Sequence, residues 1–499
     1  MSGAALVFPQ DEHDTHLLSH VRPEGWRNPR PAAAYDLVAI GGGTAGLVAA
    51  VGAAALGARV ALVERERLGG DCLNTGCVPS KALLRAARAV HEARSTRDVG
   101  VSLRVDVDFP AVMKSVRARR AELAHHDSAA RLSLAGVDVF FGEASFRDAR
   151  TLTVDGDALR FRRAVIATGG RPCVPAIRGL ADVPFLTSES VFSLAVQPPR
   201  LLVVGGGPIG CELAQAFALL GSTVTLAEAA PRVLPHEDAE ASEILQRRLA
   251  EDGVCIMTAT TLQEIASRPA AGCVTARFND GELDVDAVLV ATGRIPNLEG
   301  LNLASAGVDQ GPQGVQVDDW LRTSNRRIYA AGDVCSRFNF THAADAMARI
   351  AVQNALFPLR RRVSALVIPW TTYTFPEVAH VGLSPIEAIR TGAEPLTIPR
   401  ADVDRAVIDG DSEGFLRVSH HRGRIVAATI VAPRAGELIG YIASLMRRRA
   451  TLDELSNEIF PYPTLAEALR KAGDAYRRRQ LTPWVRGWLG RYFAIARKF

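Results

Sequence analysis

Cysteine is scarce in this chain, with seven residues in 499. That excludes a disulfide-stapled secreted scaffold and fits a reducing cytoplasm, where a disulfide would be catalytic rather than structural. No apolar run of about 18 residues occurs, so no membrane-spanning helix is expected. The N-terminus lacks the basic-then-apolar pattern of a signal peptide, and the protein is read as cytoplasmic. Neither sign of charge dominates, since 58 basic and 54 acidic residues leave a net charge of +4. Nothing in that balance points to a nucleic-acid partner or an anionic membrane. What is present is an ordinary globular composition, 48% hydrophobic and 22% charged, long enough for about three packed domains.

Against that scarcity, two cysteines stand five positions apart in Gly69-Gly70-Asp71-Cys72-Leu73-Asn74-Thr75-Gly76-Cys77-Val78-Pro79-Ser80-Lys81. The glycines let the sulfurs meet, Pro79 suits a first helical turn, and Lys81 supplies a cation. A helix N-terminus beside a cation lowers a thiol's pKa and makes it a nucleophile. The spacing also suits a structural disulfide, half of a zinc site, or two inert thiols. A zinc site wants a second pair of soft ligands, whereas Cys173, Cys211, Cys255, Cys273 and Cys335 are scattered singly. A redox pair is the favoured reading, and no metal site is expected.

From Tyr35 a buried strand leads into Gly41-Gly42-Gly43-Thr44-Ala45-Gly46, an Ala-rich helix to Gly57, and a strand ending at Glu64. Gly41, Gly43 and Gly46 allow a tight turn that brings a pyrophosphate to the helix N-terminus, with Glu64 placed for a ribose hydroxyl. The pattern recurs at Leu201 to Val204, Gly205, Gly207, Gly210, a helix to Leu220, and a strand ending at Glu228. Each unit is followed by an apolar strand that stops at Thr-Gly, at Thr168-Gly169 and at Thr292-Gly293. Two dinucleotides are therefore expected, with residues 82–163 interrupting the first fold. A further strand ends at Gly332-Asp333, and from about Pro369 strands and helices alternate without another glycine turn. Residues 1–33 are polar, with Pro9, Pro23, Pro29 and Pro31 among His13, His16 and His20; they read as an extension draped on the surface.

Residues 35–480 resemble the flavin-dependent pyridine nucleotide disulfide oxidoreductases. The motifs are the GGDCLNTGCVPSK run, both glycine turns, the two Ala-Thr-Gly strands, Ala331-Gly332-Asp333, and Tyr373-Thr374-Phe375-Pro376-Glu377-Val378-Ala379. The resemblance implies an α/β fold of two Rossmann-like dinucleotide-binding domains plus a C-terminal α+β dimerisation domain, assembled as a homodimer. The FAD domain would take residues 34–184 and 294–366, the NAD(P) domain 185–293, and the dimerisation domain 367–480. By the same resemblance Gly41, Gly43, Gly46, Glu64, Thr168, Gly169, Gly332 and Asp333 would hold FAD. Gly205, Gly207, Gly210, Glu228 and Gly293 would hold NADH or NADPH. Hydride would pass to flavin N5 and the electrons would open a Cys72–Cys77 disulfide, with Cys77 against the flavin and Cys72 facing substrate. Lys81 and Glu212 match the family's ion pair beside N5. A carboxylate at Glu228 accepts the ribose 2′-hydroxyl of NADH and repels the 2′-phosphate of NADPH, so NADH is expected, although Arg232 lies near in sequence.

Dithiol-reducing members carry His-Pro-Thr and then a glutamate in the C-terminal domain, whereas this chain has Tyr462-Pro463-Thr464-Leu465-Ala466-Glu467. Tyrosine titrates near pH ~10 against about 6.5 for histidine, which suits a proton shuttle poorly. A tyrosine here resembles the mercuric reductases, whose substrate is a soft metal ion suited to thiolates. Those members end in a vicinal cysteine pair, and some begin with a metal-carrying domain; this chain ends Ala496-Arg497-Lys498-Phe499. A dihydrolipoyl dehydrogenase-like reductase, with Glu467 and Cys72 in its site, is the rival enzyme. A flavin-bearing redox sensor is a rival from another class. The tail from Leu481 to Phe499 mixes Trp484, Trp488, Tyr492 and Phe493 with cations; it is read as docking on its own protein rather than on a membrane.

Overall fold

Five of the six residues in Tyr35–Ile40 (β1) are buried, as befits a parallel strand covered on both faces. The computed structural model describes residues 11–268, 272–279 and 281–498, apart from the side chains of Arg97 and Asp98. Glu12–Val21 (α1) precedes β1, and Thr44–Ala55 (α2) crosses from it to Val60–Glu64 (β2). Gly70–Asn74 (α3), Cys77–Ser95 (α4) and Phe109–Leu123 (α5) intervene before Val137–Phe141 (β3). Ala144–Asp148 (β4), Thr151–Val154 (β5) and Asp157–Ile166 (β6) then form an antiparallel meander. β2 lies between β1 and β3, while the end of β6 pairs in parallel with β1 on one side and Ile328–Ala330 on the other.

A second parallel sheet runs in the order Val254–Met257, Thr223–Ala227, Arg200–Val204, Ala287–Val290, and a three-stranded antiparallel sheet spans Leu262 to Val285. Gly170–Pro172 and Arg294–Pro296 pair antiparallel between the two nucleotide folds. These elements belong to one compact unit, made of residues up to 97, 102–231 and 252–366. The other unit takes 98–101, 232–251 and the chain from 367. Its centre is a five-stranded antiparallel sheet in the order Pro369–Thr372, Glu377–Gly382, Arg424–Ala432, Phe415–His421, Glu394–Pro399.

Residues 232–251, which the sequence places in the domain 185–293, group with the second unit. There Trp370 Nε1 donates to Glu237, Arg417 pairs with Asp238 and Arg247 with Glu413, each at 2.6 Å. The N-terminal stretch corrects the expectation of an extension draped on the surface. Asp11 caps α1 by accepting from the N–H groups of His13 and Asp14 at 3.0 and 3.1 Å. Asp14, Leu17 and Val21 form its inward stripe, with Leu17 and Val21 in the cluster that holds Leu37, Leu62 and Leu73. Asp14 is buried because Arg120 on α5 meets it at 2.5 Å. Trp26 then packs edge-on against Phe141, and the Asn28 amide both donates to and accepts from the Phe141 backbone. The exposed edge of β3 is thereby covered. His16 and His20 meet edge-to-face, and among the described residues no three His, Cys, Asp or Glu side chains are grouped to hold a metal. Residues 1–10 of that stretch lie outside the described residues.

The terminal helix Pro483–Ala496, expected to dock on its own protein, has no buried residue within this single chain.

Candidate active site

The two glycine turns are near copies. A Cβ added at Gly46 would lie 1.8 Å from the Gly41 carbonyl oxygen, and one at Gly210 would lie 1.9 Å from that of Gly205. Only glycine permits helix and strand to approach so closely. α2 starts after Gly43 and the helix Pro208–Leu220 after Gly207, and no side chain caps either. The free N–H groups of both first turns are thus left for an anion, as a pyrophosphate requires.

The carboxylates repeat the symmetry. Glu64 accepts from Gly42 N–H and Glu66 N–H, both at 2.6 Å. Glu228 accepts from Gly206 N–H at 2.5 Å and Ala230 N–H at 2.7 Å. Each acid is thus clamped against its own turn with lone pairs to spare for a ribose hydroxyl. Burial pushes the Glu64 carboxyl up, and the two N–H donors oppose it. Thr168 donates to the Asn297 carbonyl at 2.7 Å, and Asn297 N–H donates to Gly169 at 3.0 Å. The Gly293 carbonyl accepts from Cys173 N–H at 2.9 Å. These residues therefore fit two dinucleotides, one per turn.

The cysteine loop is fastened to the first turn. Gly69 N–H donates to the Gly42 carbonyl at 2.8 Å, and Gly70, at φ +54°, lies so close that an added Cβ would meet the Gly43 Cα at 2.6 Å. Asn74 braces the loop from within, donating to the carbonyls of Leu68 and Gly70 at 3.0 and 2.9 Å. Arg120 holds the Asn74 carbonyl in turn at 2.9 Å, so α1 supports the loop through Asp14 and Arg120.

Cys72 sits on α3, half-buried, and Cys77 is the first residue of α4, its sulfur turned inward although the residue is exposed; both are free thiols. The Cys77 sulfur lies 3.3 Å from the Thr341 hydroxyl, and Thr341 is the first residue of the helix Thr341–Leu356. Two helix N-termini converge on one sulfur, where their partial positive charge favours thiolate. The hydrogen bond from Cys72 is the main influence lowering the Cys77 pKa, to about 6, against the burial that opposes it; Thr341 and the Lys81 charge assist. The same hydrogen bond and burial push Cys72 up. Lys81, one turn along α4, meets Glu212 at 2.8 Å, so the four expected groups Cys72, Cys77, Lys81 and Glu212 are brought together.

Sequence reasoning missed two residues. Thr341 gives no local signal, since it opens a helix without acting as a cap. Arg294 donates to Asp333 at 3.2 Å and also to Asp71 beside Cys72. Asp333 thus stands engaged by a guanidinium, with burial pushing its carboxyl up and Arg294 opposing. The position of Arg294, directly after Thr292-Gly293, was the one available clue.

Tyr462 and Glu467 lie in the second unit. The Tyr462 hydroxyl donates to Asp404 at 2.9 Å, which moves its pKa further up, and the side chain is 68% exposed. Glu467 opens the helix Glu467–Gln480, buried beside Lys471 at 3.5 Å.

Residues 35–348 match the pyridine nucleotide-disulphide oxidoreductase family, and residues 368–473 match its dimerisation domain. Mercuric reductase of Staphylococcus aureus is 36% identical over 447 residues, covering 88% of this chain and 82% of that protein. Dihydrolipoyl dehydrogenase of Thermus scotoductus is 34% identical over 468 residues, covering 90% and 98%. Among solved structures, the Cu(II) complex of the HOCl-induced flavoprotein disulfide reductase RclA from Escherichia coli superposes with a TM-score of 0.79 at 28% identity, covering 87% and 98%. The chain is therefore an α/β flavoprotein that uses FAD and NAD(P)H, a member of the pyridine nucleotide-disulphide oxidoreductase family close to mercuric reductase.

Proposed function

We propose that this oxidoreductase reduces a soft metal ion of the Hg(II) class with NADH, through FAD and the Cys72/Cys77 pair, as a cytoplasmic homodimer. The observation that carries the reading is Tyr462. Its hydroxyl is held by Asp404 and its pKa is raised, so it cannot shuttle protons at neutral pH as a histidine does. A thiolate-bound metal ion needs no such shuttle, and thiolates are the natural ligands of soft ions. The Cu(II) complex of one similar structure supports a metal acceptor. The net reaction balances as NADH plus Hg(II) giving NAD⁺, H⁺ and Hg(0), a two-electron transfer.

FAD, once bound, relays two electrons between nicotinamide and the cysteines. The chain's own groups do the rest. The glycine turns and their helix N-termini take the pyrophosphates. The hydrogen bond from Cys72, with Thr341 and Lys81, holds Cys77 as thiolate, and Cys72 presents its sulfur to the ion. Glu212 keeps Lys81 oriented.

Anaerobic NADH oxidation with Hg(II) in excess thiol tests the reading: stimulated oxidation with release of mercury vapour is expected, and neither appearing overturns it. The rival is a dihydrolipoyl dehydrogenase-like reductase, favoured by the Thermus relative. It predicts turnover with lipoamide that falls on replacing Glu467 or Cys72.

NADH is expected to outperform NADPH. Glu228 would face the extra phosphate, while Arg232 is already committed to the carbonyl of Pro235 at 3.1 Å. Losing a charged hydrogen bond of about 1.5–3 kcal/mol corresponds to about a tenfold to hundredfold drop in kcat/KM. Equal kcat/KM values for the two nucleotides would remove Glu228 from this role.

The pH dependence follows from Cys77. Its lowered pKa means thiolate is present above about pH 6 and lost below it. Long-wavelength absorbance of the NADH-reduced protein, which reports a thiolate beside oxidised flavin, should grow as pH rises through that value. Lys81→Met should move the midpoint upward by about one unit. A midpoint that stays fixed in the variant would show that Lys81 does not act on the thiol.

A further inference from the structure

The terminal helix Pro483–Ala496 lies beyond the segment that matches the dimerisation domain, and none of its residues is buried. Trp484 is 72% exposed, Trp488 58% and Tyr492 63%. On a helix of about 3.6 residues per turn the side chains separate into two arcs. Trp484, Trp488, Tyr492 and Ile495 run along one edge of the apolar arc, and Leu489 and Phe493 along the other. Arg486, Arg491, Arg497 and Lys498 occupy the opposite arc, spaced by Gly487, Gly490 and Ala494. No acidic residue follows Asp474, and the arginine run 477–479 leads into the helix.

We infer that this helix is a docking surface for an anionic lipid bilayer, lying in the plane of the membrane with its aromatic arc inserted. A large apolar arc beside a purely cationic one is the design of interfacial helices. Tryptophan and tyrosine favour the headgroup boundary because they join an apolar body to a polar tip. The cations complement anionic headgroups. A second copy of the same helix would instead bring like charges together, with no acid on either tail to pair them. A helix of 14 residues is too short to span a bilayer, and no described helix is long and apolar enough to do so.

The test uses full-length holoenzyme with phosphatidylcholine vesicles containing about 30% phosphatidylglycerol, enough anionic lipid to attract a basic segment. Co-sedimentation with these vesicles, weakening as salt rises, and a blue shift in tryptophan emission are expected, with no binding to pure phosphatidylcholine. Trp484→Ser with Trp488→Ser, and separately Arg486→Glu with Arg491→Glu, should each weaken binding about tenfold or more while NADH still reduces the flavin at the parental rate. Absence of binding to anionic vesicles by folded, flavin-loaded protein overturns the inference. So does a drop in oligomeric size in the aromatic variant without vesicle binding by the parent, which would assign the arc to a second copy.

Discussion

Cys77→Ser is expected to leave a protein that still binds FAD and is still reduced by NADH, but passes electrons to a metal ion or dithiol at least about a thousandfold more slowly. Serine is close in size, so the start of α4 should survive the exchange. Its hydroxyl cannot share a disulfide with Cys72, nor ionise near neutrality where the Cys77 thiol titrates at about 6. The long-wavelength absorbance should vanish with the sulfur. Cys72→Ser should separate the two roles, keeping the Cys77 thiolate while losing turnover. Cys72→Ala, which unlike serine leaves no donor, should also move the Cys77 titration upward, because the hydrogen bond from Cys72 is the chief cause of the low value. Turnover with Hg(II) preserved in Cys77→Ser would refute the assignment of the pair.

The second large effect is on stability. Asp14→Ala leaves the Arg120 guanidinium buried without its carboxylate, in a pair whose side chains are 1% and 3% exposed. Breaking a buried pair by removing one partner costs about 3–5 kcal/mol. The double exchange Asp14→Ala with Arg120→Met should cost less, since no charge is then left behind. Urea midpoints of the parent and both variants measure this, and a shift in Asp14→Ala equivalent to less than about 1 kcal/mol, as for a surface pair, sinks it. Because Arg120 also holds the Asn74 carbonyl, the single variant should loosen the cysteine loop and slow turnover besides.

Both nucleotide folds were legible because strand, glycine turn, helix and terminal acid lie within one short segment and agree with one another. The cysteine pair was legible for the same local reason, as were Lys81 and Glu212 through the motifs that contain them. What escaped depends on distant contacts. Cys77 and Thr341 are 264 residues apart, and Arg294 and Asp71 are 223 apart. α1 escaped differently. Only Asp14, Leu17 and Val21 in it are buried, one of them an acid, so its average composition reads as solvent-exposed. The fate of the acid is decided by an arginine 106 positions away.

The first sheet takes its last strand, Ile328–Ala330, 162 residues (328 minus 166) after the end of β6, and the whole second parallel sheet is encoded between them. At a synthesis rate of about 5–20 residues per second that interval lasts roughly 8–30 s. The nucleotide fold that begins second on the ribosome can therefore close first, while its elder neighbour waits for a missing edge. Cys72 and Cys77 have already emerged before that wait begins. Thr341 follows only after the sheet can close, so the nascent chain lacks that contact to the Cys77 sulfur until the flavin's own fold is ready to shield it.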